Sequence, residues 1–165
     1  MSASGKTVLL DTNIWVDRYS SVRPGHAVAS ELFKAAFEKG CKLLYSVTSS
    51  KDLFYLIASD YKAWARDKCG GTLTHAAAAA ATEMAWGCVG NMCEIATAVG
   101  CDQSDVWLAR KRRRLHGDFE DNLVLSAADR AKADLFVTNY ERLLRHAPVA
   151  AMGVRDAVAY LQSLE

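Results

Sequence analysis

The run Val8-Leu9-Leu10 leads straight into a carboxylate, Asp11, with Thr12 and Asn13 behind it. An apolar stretch this short and unbroken reads as a strand buried on both faces, the kind found in parallel sheets covered by helices. In an open α/β sheet the ligand crevice lies beyond the carboxyl ends of the strands. Asp11 is therefore expected at the mouth of a cleft, and the other acids that join it should define the chemistry.

The remainder of the chain alternates in the same way. Residues 42–47, 94–99 and 135–138 read as further strands. A loop through Pro24-Gly25 leads to a helix with Ala29, Leu32, Phe33, Ala36 and Phe37 at helical spacing, closed by Gly40 in the position of a left-handed cap. Thr48, Ser49 and Ser50 can cap a helix whose apolar stripe is Leu53, Phe54, Leu56 and Ile57. An alanine-rich helix follows from about Thr74 to Cys88. Asp102-Gln103-Ser104 opens another, a further helix runs from Asp118 to about Lys132, and residues 154–161 form the last. The 165 residues carry no repeat and no linker. They are expected to form one domain over 1–165, ordered from about 7 to 162, of the α/β class with a mostly parallel central sheet flanked by helices.

Composition acts by exclusion. Twenty basic residues against nineteen acidic ones leave a net charge of +1, so only the local distribution of charge bears on nucleic acid. Five cysteines without a C-x-x-C pair read as free thiols in a reducing compartment rather than as a disulfide framework or a zinc site. The first six residues lack an export signal and no apolar run spans a bilayer, so a cytoplasmic protein with no membrane contact is expected.

Four acids are candidates for one site: Asp11, Asp52, Asp118 and Asp121. Asp11 could instead be a turn former. Asp52 lies in the first turn of its helix, where the helix dipole alone favours an acid. Asp118 and Asp121 share one face at a helix start, where like charges repel, although a capping box accounts for the first of them. Together they form a hard-oxygen set suited to Mg²⁺ or Mn²⁺ and to phosphoryl chemistry. Arg110, Lys111, Arg112, Arg113 and Arg114 make the one dense basic run and read either as a phosphate-contacting surface or as a solvated helix face. Trp15, Trp64, Trp86 and Trp107 read as core or subunit-contact residues, with stacking on unpaired bases the alternative. His116, near Asp118, reads as a loop residue, with proton donation the alternative.

Residues 8–17 (VLLDTNIWVD), 48–55 (TSSKDLFY), 118–123 (DFEDNL) and 133–139 (ADLFVTN) together resemble the PIN-domain family, in order and approximate spacing over nearly the whole chain. The resemblance implies a single PIN-like nuclease domain and a metal-dependent endoribonuclease of the VapC type, the toxin of a bacterial type II toxin–antitoxin pair. It implies Mg²⁺ or Mn²⁺ as cofactor, RNA as substrate, a cognate antitoxin and a homodimer. Asp11, Asp52, Asp118 and Asp121 would then be catalytic and metal-binding, with Asn13 and Thr138 holding the first carboxylate and its water. Two positions depart from the family pattern. Asp52 stands where many relatives have glutamate. After Thr138 the chain reads Asn139-Tyr140-Glu141, where many relatives carry an aspartate just beyond the threonine; Glu141 is the nearest carboxylate, but offset. A non-catalytic PIN-like module that binds RNA or protein is the alternative. A haloacid-dehalogenase-type phosphatase needs an aspartate two residues after the first, where this chain has Asn13.

Overall fold

The computed structural model describes residues 5–164; Met1 to Ser4, on which the absence of an export signal was read, and Glu165 lie outside the described residues. The first strand, β1 (Thr7–Leu10), has Val8, Leu9 and Leu10 fully buried, as an apolar run flanked on both faces must be. It pairs in parallel with β2 (Lys42–Ser46) on one side and β4 (Leu135–Val137) on the other. β3 (Thr97–Val99) and β5 (Ala151–Met152) extend the two edges, giving five parallel strands in the order β3-β2-β1-β4-β5. The chain leaves β1 toward β2 on one side and later returns to β4 on the other. The point where strand order reverses is thus the carboxyl end of β1, and a crevice opens there.

Alternation along the strands divides the core between the two faces. Val8, Leu10, Leu43, Tyr45, Leu135 and Val137 meet Ile14 and Trp15 of α1 (Thr12–Tyr19), Leu32 and Phe33 of α2 (His26–Glu38), and Ala157 and Leu161 of α8 (Val154–Ser163). The same layer holds Leu53 and Ile57 of α3 (Val47–Lys68) and Ala85 and Met92 of α4 (His75–Ile95). Leu9, Leu44 and Phe136 point the other way, onto Val124, Leu125 and Ala128 of α6 (Phe119–Ala131) and Leu143 of α7 (Glu141–His146). α5 (Gln103–Arg112) packs on α6.

The expected α/β class and parallel sheet hold, and the departures are local. Residues 12–19, to which the sequence pattern assigns no element, form α1, because the Asp11 carboxylate accepts from the Thr12 amide at 2.7 Å and caps the helix. Its β-branched Thr12, Ile14 and Val16 weaken the intrinsic helix signal, and burial of Ile14, Trp15 and Val16 overrides it. α4 runs on to Ile95, which shortens the strand expected over 94–99 to three residues. Gly40, with φ 62°, ends α2 in the left-handed region, as its spacing predicts. α7 and β5 are too short to leave a periodic signal. Among the described residues, no helix is long and apolar enough to cross a membrane.

Candidate active site

Asp11 extends the line of β1 into the crevice. Its backbone amide still donates to Val137 across the sheet at 3.0 Å, so its position is fixed by strand pairing. The side chain is 2% exposed and both oxygens are engaged: Oδ1 accepts from the Thr12 amide, and Oδ2 accepts from the Thr138 hydroxyl at 2.7 Å. Thr138 comes just after β4, so one hydrogen bond joins the ends of the two strands that flank the crevice. Burial pushes the Asp11 carboxyl up to about 6; the Thr138 bond opposes this, and the charge of Asp121 adds to it.

A cleft of about 240 Å³ is lined by Asp11, Thr12, Asn13, Asp52, Glu120 and Asp121, with Tyr55, Leu56 and Val124 as its apolar wall. Asp52 is brought in by α3, which starts directly at the end of β2. Its Oδ2 is buried with no hydrogen-bond partner, and its Oδ1 lies 3.0 Å from Lys51 Nζ. The Lys51 ammonium also reaches Glu120 Oε1 at 3.2 Å. Contact with Asp52, helped by burial, holds the Glu120 carboxyl above its ordinary range, with Lys51 pulling the other way. The two hydrogen bonds raise Lys51 in turn. Asp121, on the first turn of α6, has Oδ2 bound by His116 Nε2, which donates at 2.7 Å. His116 is itself buried, and its carbonyl accepts from the Asn122 side-chain amide at 2.8 Å.

Three of the four candidate acids therefore meet at the cleft. Asp118 does not line it. It is the N-cap of α6, accepting through Oδ1 from the amides of Glu120 and Asp121 at 2.9 and 3.0 Å. Asn13 lines the cleft, donates to the Tyr140 hydroxyl at 2.9 Å and accepts from Arg23 at 3.5 Å, without touching Asp11. Thr138 holds Asp11 and also accepts from the Tyr140 amide. Asn139 Oδ1 accepts from the amide of Val154 and fastens α8. Glu141 pairs with Arg145 along α7 and faces solvent. Arg112 is turned inward onto Ser126 and Asp129, whereas Arg110, Lys111, Arg113 and Arg114 line a separate groove. Glu120 and Lys51 carry no signal that singles them out in the sequence, and His116 reads there as a loop residue rather than as a partner of Asp121. Each lies within two residues of a candidate acid, so neighbourhood was the available signal.

The donor set suits a hard divalent cation on two counts. All donors are oxygens, and the buried Asp52 Oδ2 has no partner while Asp11 and Asp121 repel one another. Among the described residues, however, no three acidic, histidine or cysteine side chains already stand close enough to hold an ion. The carboxylates line a common cleft without closing on one point.

A doubly covered parallel sheet with carboxylates gathered at its switch point defines an acidic-cleft α/β protein. Residues 7–140 match the family model of the PIN domain, and the chain belongs to that family. PIN domains are generally nucleases. No curated protein matches the chain. Among solved structures, that of VapBC2 from Rickettsia felis bound to a DNA fragment from their promoter superposes with a TM-score of 0.58 at 16% identity, covering 89% of this chain and 98% of that one. At that identity it speaks for the fold.

Proposed function

We propose that this protein is an endoribonuclease that hydrolyses RNA phosphodiester bonds with Mg²⁺ or Mn²⁺, and that it acts in the cytoplasm as the toxin of a type II toxin–antitoxin pair. The observation that carries the reading is the Asp11 carboxylate, buried at the switch point yet facing Asp52 and Asp121 across one cleft. Asp11, Asp52 and Asp121 are the residues that would hold the cation. When bound, the cation would polarise a phosphoryl oxygen and ease deprotonation of the attacking water. The protein's own groups do the rest. Thr138 and the Thr12 amide fix both oxygens of Asp11, so its direction is preset. His116 holds one oxygen of Asp121 and leaves the other for the cleft. Lys51 carries a positive charge to the edge where a phosphate must approach four carboxylates.

A protein partner belongs to the same reading. Tyr55 and Leu56, at 66% and 38% exposure, form the rim of the cleft, and Trp86 and Met84 lie exposed on the neighbouring α4. Apolar surface of this kind beside an active site favours a covering partner, here a cognate antitoxin, and a homodimer contact.

The test is cleavage of a mixed pool of structured RNA with Mn²⁺ or Mg²⁺ by the wild type, by Asp11→Asn and by the wild type in EDTA. Cleavage by the first alone is expected, with a loss in Asp11→Asn of 10³-fold or more, on the order of 4 kcal/mol of barrier. RNA binding without cleavage by the wild type would replace this reading with the non-catalytic module.

A further inference from the structure

A second concavity, a groove of about 810 Å³, is lined by Trp107, Arg110, Lys111, Arg113 and Arg114. Trp107, Arg110 and Lys111 share one face of α5, at spacings of three and four. Arg113 and Arg114 lie on the turn that prolongs it, with the Arg113 amide bonded to the Arg110 carbonyl. Among the described residues, none of these four cations has a carboxylate within ion-pair distance. Arg112 pairs with Asp129, and Arg130 with Asp102 and Asp105. In a chain of net charge +1, this is segregated positive charge. The helix dipole accounts for cations at a carboxyl end, but not for the tryptophan among them. Trp107 is 53% exposed, and the Lys111 ammonium stands 3.6 Å from its ring centroid.

An exposed indole ringed by unpaired cations matches a nucleotide in both of its parts. The ring offers a stacking face and the cations neutralise phosphate. A duplex hides its base faces, so only an unpaired strand can use the ring. The chain ties the groove to the cleft: two residues beyond Arg114, His116 bonds to Asp121.

We infer that this groove binds a single-stranded segment of the RNA substrate. One unpaired base stacks on Trp107 in place of the Lys111 ammonium, which moves to a neighbouring phosphate, while Arg110, Arg113 and Arg114 hold the backbone. The choice of RNA as the ligand rests on the nuclease reading above; the groove itself does not.

The test is fluorescence anisotropy in EDTA, so that cleavage plays no part, with a labelled single-stranded RNA 12-mer and the same strand annealed to its complement. The single strand is expected to bind at least tenfold tighter. Trp107→Ala should weaken single-strand binding roughly 5- to 150-fold, the span of one lost base stack, and leave duplex binding unchanged. Trp107→Phe should retain most of the affinity. Arg113→Gln with Arg114→Gln should weaken both forms and flatten the salt dependence by about 0.7 per charge for the single strand. Equal affinity for the two RNAs, or indifference to Trp107→Ala, would overturn the inference, as would binding by an acidic peptide alone. Binding as expected with no cleavage in Mn²⁺ would sink the nuclease reading and leave the groove standing. Cleavage with binding indifferent to Trp107 would do the reverse.

Discussion

Asp118 and Asp121 show how two identical side chains three residues apart take different work. The carboxylate of Asp118 is spent on the amides that open α6, while that of Asp121 faces the cleft with His116 behind it. From sequence the pair was ambiguous, because a capping box and a metal pair demand the same residue types at the same spacing. Which oxygen meets which amide is set only when the helix start is placed. Substitution separates the two roles. Asp118→Asn retains a capping oxygen and is expected to keep cleavage within about threefold, while Asp118→Ala should cost about 1 kcal/mol in denaturant unfolding. Asp121→Asn should remove cleavage with little change in stability. Loss of cleavage in Asp118→Asn at unchanged stability would return Asp118 to the site.

At the scale of elements, the basic run shows that consecutive residues do not act together on a helix. Successive side chains on α5 point about 100° apart. Arg112 is thereby carried to the α6 side, where it donates to Ser126 at 2.7 Å and meets Asp129 at 3.1 Å, while its neighbours face the groove. Arg112→Ala should lower stability by about 1–2 kcal/mol through the loss of that largely buried bond, with no effect on RNA affinity. The neighbouring Arg113→Gln should do the opposite, and parallel thermal melts and anisotropy titrations of the two variants decide between them. Helix and strand existence was legible wherever an element was long: α2, α5, α6 and the three central strands follow their patterns. The short α1 was not, since its formation depends on the Asp11 cap and on a core that the local pattern does not describe.

For the whole molecule, the cost of burying Asp11 makes folding depend on pH and on metal. Its carboxyl titrates near 6 in the fold against 3.8 for a free aspartate, so between those values the folded state binds more protons than the unfolded one. Stability from this group thus falls as pH rises from about 4 to about 6, and above that the buried charge costs up to about 3 kcal/mol. In EDTA, Asp11→Asn is expected to melt higher than the wild type at pH 7.5, with the gap closing by pH 4. Mn²⁺ should raise the wild-type melting temperature and leave that of Asp11→Asn unchanged, because only the folded wild type gathers the ligand set. A wild type that melts at the same temperature with and without Mn²⁺ would count against the metal site. The sequence by itself determined the α/β class, the parallel character of the sheet and the place of Asp11 at a strand end, since buried strands and amphipathic helices are written in local periodicity. The tertiary structure alone decided which acids share a cleft, that Glu120, Lys51 and His116 join them, and that Arg112 leaves the basic run. Those facts depend on distances between segments far apart in the chain, as from Lys51 to Glu120, 69 residues on, and no local pattern encodes such distances.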